Sequence, residues 1–592
     1  MAARSRPTPS IACPGATTPI PLRRATSPRP LSSTTCDPTN TRSRIMSNES
    51  KVMLSGFAQP ISLRLDHLNE TARQTLRESP LYRNAAFVHS SEDTLRAAQL
   101  LTNAGTLAST VTTNGWDTVS ICRVSALNQR IALEKTYPAN IDAGVDSFSL
   151  KADFDAWSIT TGGDGRNVKV RIPFGSGTYK GLNGKTYQIQ GMSADVYVKL
   201  SYFPAPNPVS ASDGTYELQV NTQATDPDDP IAAVIALRDP NNVLSGIDQS
   251  VMRGVLEDWL NQPENLKKFD TLFSTVLINN MGKESEEFKW LRATSMSYAY
   301  TDKNSEESSI FGVLAMTNER DSTGLPNQLP AVMLAADNNA NFLISREIFV
   351  KYQLLAALPF IFEGTTEANF TLDAAGTSIT ANDLKLDSVK FGAITYHPVA
   401  EKFDINFDES YIRTECKVRT DISPGVVAYT RIVTKQTLQL GVNDKGEQVM
   451  VYAMVGDPDV QNTTDIATWV VITEAILGAI AAVATAVAGG VGGKVMALIV
   501  GIIAALVVAI VSIVIHVIIE RVVAGGVTNN IPSIAPMVKV AANQVKWPFS
   551  EPDAFVLTDI TYSGALIFGG SLKLLEKFCI QDKRLALATL AA

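Results

Sequence analysis

Val168-Lys169-Val170-Arg171-Ile172, Val196-Tyr197-Val198-Lys199-Leu200-Ser201-Tyr202 and Thr215-Tyr216-Glu217-Leu218-Gln219-Val220 decide the fold class of this chain. Val168, Val170 and Ile172 alternate with Lys169 and Arg171. Val196, Val198, Leu200 and Tyr202 alternate with Tyr197, Lys199 and Ser201, and Tyr216, Leu218 and Val220 with Thr215, Glu217 and Gln219. Successive side chains of a strand point to opposite faces, so each stretch buries one face and wets the other. Turn-rich separators, Gly162-Gly163-Asp164-Gly165 and Asn183-Gly184, lie between the stretches. The pattern predicts an antiparallel sheet with one dry face.

Outward from these strands the period changes to that of a helix. Trp116-Asp117-Thr118-Val119 leads into Ile121, Val124, Leu127 and Ile131, a spacing that predicts an amphipathic helix ending before Pro138. Val251, Met252, Val255, Leu256, Trp259 and Leu260 form a second stripe, broken at Pro263. A third runs through Leu266, Phe269, Leu272, Phe273, Val276 and Leu277. Asn341-Phe342-Leu343-Ile344-Ser345-Arg346 opens a further helix through Phe349, Tyr352, Leu355 and Leu358, stopped by Pro359. Strands are expected at 288–317 and again over 368–456, where Lys402 to Asp408 alternate strictly and Thr437 to Leu440 more briefly. Phe555 to Ile560 and Ala565 to Phe568 read as later strands. Strands and helices in blocks indicate an α+β chain rather than a βαβ parallel sheet.

At 592 residues, with 45% apolar and 19% charged residues, the chain has ample core-forming surface, and wholesale disorder is excluded. A net charge of −8 argues against nucleic acid as a partner. Cys13, Cys36, Cys122, Cys416 and Cys579 are too scattered for a disulfide framework or a metal knuckle. Residues 1–45 hold seven arginines, one acid and eight prolines; they carry +6, leaving −14 on the rest. No apolar run there is long enough for a secretory signal core, so a secretory signal is not expected and localisation stays open. Three readings of this leader stand: upstream sequence before a start at Met46, a disordered tail, or a transit peptide whose prolines oppose the helix it needs. Residues 46–112 are polar and mixed and read as an N-terminal extension.

Residues 475–493 contain no charge, nor does the run from Val495 to Ile519. Each is long enough to cross a bilayer, for which roughly 20 apolar residues suffice. Gly489-Gly490-Val491-Gly492-Gly493 would turn them into a hairpin within 466–525. Two readings remain open: helices enclosed by the protein's own sheets and a bound guest, or conditional insertion into a membrane through Ile499, Ile503, Val507 and Val511.

Catalytic signatures fail one by one. His67, His89, His397 and His516 are far apart, and none stands in a zinc-protease motif. The Gly489–Lys494 stretch lacks the first glycine of a phosphate loop, where Ala488 stands, and the hydroxyl residue after its lysine, where Val495 stands. No nucleophile elbow and no paired-cysteine metal site occur. The sequence therefore points to no catalytic residue, metal or cofactor, and a non-enzymatic role is expected.

Several segments together carry a resemblance. Thr113-Asn114-Gly115-Trp116-Asp117-Thr118-Val119, Ile172-Pro173-Phe174-Gly175-Ser176-Gly177, Tyr202-Phe203-Pro204, Phe342-Leu343-Ile344-Ser345-Arg346 and Val545-Lys546-Trp547-Pro548-Phe549 resemble, in order and spacing, the OrfX-like accessory proteins encoded beside clostridial neurotoxins, whose members include a forty-seven-kilodalton protein. The resemblance spans about 113–580. It implies a tubular lipid-binding (TULIP) architecture: an elongated α+β fold in which curved antiparallel sheets wrap long apolar helices. Two lobes are expected, 113–365 and 366–592. It also implies a toxin-cluster role, in some cases insecticidal, and a lipid partner: a fatty acid, phospholipid or phosphoinositide. A toxin or another OrfX-like protein is a further expected partner. The family offers no catalytic residues to carry over. On the residues themselves, Val124, Leu127, Ile131, Trp259, Phe273, Val276, Phe349 and Leu355 are the candidate groove lining, and each also fits an ordinary core position.

Overall fold

The computed structural model describes residues 63–64, 111–488 and 533–575, apart from 206–213, 224–229, 279–287, 331–333, 335–337, 363, 408–409 and 444. All of these belong to one compact unit, Met53–Ala592. The hairpin candidates Ile499, Ile503, Val507 and Val511, and the turn before them, lie outside the described residues.

Strand pairing dominates. One seven-stranded sheet runs Ala232–Arg238, Ser193–Val198, Val168–Lys180, Phe148–Phe154 and Asn140–Val145, with Ser158–Ile159 and Thr186–Gln188 attached to Val168–Lys180. The alternation of Val168, Val170 and Ile172 is realised: all three are buried, between partly buried Lys169 and Arg171. The 196–202 stretch breaks at Lys199, and its second half, Leu200–Pro204, joins a four-stranded sheet with Gly214–Val220, Ser274–Ile278 and Val545–Lys546. A second seven-stranded sheet runs Ser550–Tyr562, Ala565–Leu574, Ala340–Ser345, Thr118–Arg123, Ile310–Thr317, Ala293–Thr301 and Asp164–Gly165, so the C-terminal strands pair with segments more than 200 residues earlier in the chain. The nine-stranded sheet is built mainly from Val399–Phe407, Ile412–Ser423, Val426–Val442, Gln448–Met454 and Asp459–Ile466. Neighbours are antiparallel in every sheet, except where Leu63–Arg64 lies parallel to Asp459–Ile466.

Three expected helices are corrected. Thr118–Arg123 is a strand, and the helix is only Val124–Glu134, closed by Lys135 in the left-handed conformation (φ 52°). The strand sits between Ile310–Thr317 and Ala340–Ser345, and its first five residues are all buried. Its alternation, Thr118-Val119-Ser120-Ile121, is short, and Val119 and Ile121 run straight into the apolar stripe of the helix that follows. The stripe from Leu266 to Leu277 is helical only in Pro263–Leu266; Ser274–Ile278 is a strand whose Val276 pairs with Tyr216 and Val545. Likewise Ala340–Ser345 is a fully buried strand. Ser345 caps the helical stretch that follows, its Oγ accepting from the Ile348 amide at 3.4 Å. That stretch passes through a π turn, Val350–Leu354, and ends in a 3-10 turn, Leu358–Phe360, that contains Pro359 rather than stopping before it.

The chain is thus α+β, mostly antiparallel sheet with few helices. Sheets wrapped around long apolar helices are not shown by the described residues: Gly246–Leu260 is 15 residues long, the stretch from Arg346 to Phe360 passes through π and 3-10 turns, and the last apolar helical stretch described covers 474–488. Among the described residues, no helix is long and apolar enough to cross a membrane.

Candidate functional site

The eight residues expected to line one groove divide between two cores. Val124, Leu127 and Ile131, on the helix Val124–Glu134, pack into the first core with Trp259, Phe273 and Val276. Aromatic rings fill this region: Trp157 meets Phe269 edge-on at 5.0 Å, Phe154 lies 5.9 Å from Trp259, and Phe273 lies 5.7 Å from Phe311. Phe349 and Leu355 belong to the second core, where Phe349 meets Phe407 edge-on at 5.4 Å.

The second core is bounded by the nine-stranded sheet, whose two faces differ sharply. Thr414 stands opposite Thr434, Cys416 opposite Ile432 and Ile412 opposite Gln436, and all six are buried. Arg413, Glu415, Lys417 and Arg431, the residues between them, point to the other face. There they form a charged ladder: Glu415 accepts from Arg413 at 2.7 Å and Arg431 at 2.8 Å, and Lys417 binds Glu401 at 2.9 Å. Burial alone would push the Glu415 carboxyl up, but the hydrogen bonds from Arg413 and Arg431 and the nearby charge of Lys402 outweigh it and hold it at about 2. The charges of these strands are therefore spent on the outer face, and the inner face is dry.

Against this core packs the helical stretch 474–488, the described part of the apolar segment. Its Ala479, Ile480, Val483, Val487 and Ala488 are buried in the same cluster as Ile412, Val418 and Ile432. Gly478 lets it approach the hairpin Val389–Phe391/Ile394–Tyr396, since a Cβ there would stand 3.3 Å from the Phe391 ring. Just before this stretch Trp469 and Val471 are 69% and 80% exposed.

The inner face is not uniformly apolar, which the sequence reading missed. Thr414, Thr430, Thr434, Gln436, Asn462 and Thr464 all occupy inward positions and are buried. Thr430 donates to Asn462 Oδ1 at 2.8 Å. The signal was available: Thr414, Thr434 and Gln436 are polar residues at the apolar positions of alternating strands.

Two further polar groups are structural. Asp195, buried on the first sheet, accepts from Lys169 at 3.2 Å, Arg171 at 3.1 Å and Arg238 at 2.8 Å. Its burial would raise its pKa, but these three donors hold the carboxyl below the usual range. Asp117 accepts from the Thr317 amide at 2.7 Å and pairs with Arg320, tying the start of its strand to the turn after Thr317; burial pushes its pKa up. Among the described residues, no cluster of three metal-ligating side chains occurs.

The family model described as "OrfX-like: Protein OrfX2/OrfX3/P47" matches residues 113–570. The chain belongs to the OrfX-like family. It is similar to Protein OrfX3 of Paraclostridium bifermentans, 27% identical over 384 residues that cover 59% of this chain and 77% of that protein. Protein OrfX3 of Clostridium botulinum (strain Kyoto / Type A2) is 26% identical over 390 residues, 60% of this chain and 78% of the relative. The solved structure of P47 from Clostridium botulinum A2 superposes with a TM-score of 0.52, covering 78% of this chain and 98% of that one at 16% identity, a likeness of fold alone. This OrfX-like chain places each of the five family segments in a strand or beside one: Thr118–Arg123, Val168–Lys180, Leu200–Pro204, Ala340–Ser345 and Val545–Lys546.

Proposed function

We propose that this OrfX-like protein is a non-enzymatic accessory or virulence factor of the toxin-cluster type that carries a lipid, its acyl chain held between the inner face of the nine-stranded sheet and the helical stretch 474–488. The observation that carries this reading is the packing of an apolar helix, through Ile480, Val483 and Val487, onto a sheet whose charges Arg413, Glu415, Lys417 and Arg431 go to its outer face. An acyl chain there gains roughly 25 cal/mol per Å² of apolar surface removed from water, several kcal/mol in all, with no catalytic group involved. The groove-lining role belongs in this proposal to Phe349 and Leu355; Val124, Leu127, Ile131, Trp259, Phe273 and Val276 line the first core, which serves as a second candidate compartment. Family membership supports an accessory role and makes another OrfX-like protein a candidate partner.

The test is chemical. Organic extracts of the purified protein are analysed by mass spectrometry, and the delipidated protein is offered fluorescent fatty acid and phospholipid. Co-purifying or transferred lipid supports the reading; an extract without lipid together with no uptake removes it.

A second reading has its own observation. Exposed Trp469 and Val471, immediately before the apolar segment, suit contact with a membrane surface, where an aromatic ring sits at the headgroup level. Leakage from loaded vesicles, abolished by Ile503→Asp or Val507→Asp, supports insertion of this segment; vesicles that stay sealed across pH and lipid composition oppose it.

A further inference from the structure

Thr414 and Thr434 face each other across two paired strands, and Gln436 follows Thr434 on the same face, roughly 7 Å further along at two residues of strand rise. Thr414 and Thr434 are 1% exposed and Gln436 is fully buried. Among the described residues, neither threonine hydroxyl has a hydrogen-bond partner, and neither do the Gln436 Oε1 and Nε2 atoms. These groups stand among Ile412, Cys416, Ile432 and Leu438, members of the second core. A buried polar atom without a partner costs stability, and here four such atoms stand together on one face of the sheet.

We infer that Thr414, Thr434 and Gln436 form an internal polar subsite that recognises the uncharged ester, amide or hydroxyl groups of a neutral lipid, of the diacylglycerol or ceramide kind. The inference rests on the lipid-carrying reading above and specifies its guest. The chemistry of the three side chains sets the class. The amide nitrogen of Gln436 donates to a carbonyl, its Oε1 accepts from a hydroxyl, and each threonine hydroxyl does either. No charge is supplied: the inward positions of Ile412–Ser423, Val426–Val442 and Asp459–Ile466 carry no ionisable group except the Cys416 thiol, which burial pushes up to about 12. The cations Arg413, Lys417 and Arg431 lie on the opposite face. A phosphate or carboxylate placed here would be buried without a counter-charge, which is far costlier than burying a neutral polar group. Lipids with an anionic head are therefore excluded from this subsite, and lipids whose polar groups are neutral are selected.

The experiment uses the delipidated full chain and vesicles doped with fluorescent diacylglycerol, fluorescent phosphatidic acid or fluorescent fatty acid. Wild-type protein is expected to take up diacylglycerol at least about tenfold better than either anionic lipid. In Thr414→Val, Thr434→Val and Gln436→Leu, diacylglycerol uptake falls about tenfold, the loss of roughly one buried hydrogen bond each. The lipid-free variants melt at or above the wild-type temperature, because an unpartnered buried group has been replaced by an apolar one of similar shape. Equal or stronger uptake of the anionic lipids by wild type overturns the inference while leaving the lipid-carrying function intact. So does unchanged diacylglycerol uptake in the variants, or their destabilisation, which would mean that the groups are already paired within the fold. Should no lipid of any class be taken up, the broader function falls and the inference with it. Selectivity in the wild type is read without any variant and tests the inference independently of their stability.

Discussion

Replacing Ile480 by alanine probes whether the stretch 474–488 is docked on the core. Ile480 is 1% exposed and shares its cluster with Ile412, Val418 and Ile432. The substitution removes three carbons; at about 0.8 kcal/mol for each, the transfer loss is about 2.4 kcal/mol, and the cavity left behind brings the total to about 2 to 5 kcal/mol. Ala486 lies on the exposed side of the same stretch, so Ala486→Gln is the control and stays within about 0.5 kcal/mol of wild type. Guanidinium unfolding followed by tryptophan fluorescence reads the stability. Hydrogen exchange over 474–488 shows whether the helix itself has loosened. The reasoning is refuted if Ile480→Ala shifts the unfolding midpoint no more than the control, with exchange in 474–488 already fast in wild type. The apolar stretch would then be free in water-soluble protein, and the enclosed-helix account would lose its footing.

The charged outer face should show itself in acid. Glu415 falls from an ordinary 4.5 to about 2, so its stabilising effect is full above pH 4.5 and is lost as pH drops toward 2. The melting-temperature gap between wild type and Glu415→Gln, worth roughly 2 to 3 kcal/mol at neutral pH, should close across that window; a gap independent of pH contradicts the assignment. Cys416, its thiol pushed up to about 12 by burial, and Cys122, pushed well above its usual value, should resist iodoacetamide at pH 8 until the protein is unfolded, as peptide mass mapping will show. Gly177 (φ 139°) leaves no room for a side chain, because a Cβ would stand 2.4 Å from the Lys151 carbonyl on the paired strand. Gly177→Ala should cost about 2 kcal/mol or more in the same unfolding assay, and a neutral result would mean that this strand pair is wrongly placed.

What could be read from the sequence follows from how many faces each element buries. Val168–Lys180 and Val399–Phe407 bury one face, and the alternation at Val168, Val170 and Ile172 and from Lys402 to Asp408 identifies them as strands. Thr118–Arg123 and Ala340–Ser345 are inner strands, nearly all buried, and each runs straight into a helix, so Val119 and Ile121, and Phe342 to Ile344, extend the apolar stripe that follows and imitate a longer helix. The stripe from Leu266 to Leu277 failed differently: a short helix and a strand, joined by a connection through Phe269 and Phe273, imitated one helical face. The eight groove candidates are apolar positions on expected helical stripes, a criterion that selects core as readily as lining. It divided them between two cores and passed over Thr414, Thr434 and Gln436, whose polar chemistry at inward strand positions is the more informative signal.

The most direct measurement is native mass spectrometry of the purified protein, compared with the same sample after denaturation. A guest enclosed between the nine-stranded sheet and residues 474–488 predicts a discrete mass excess, equal to one or a few lipid molecules, that disappears on unfolding and is recovered as lipid in the organic phase. Identical native and denatured masses, persisting after incubation with neutral and anionic lipids alike, would contradict it.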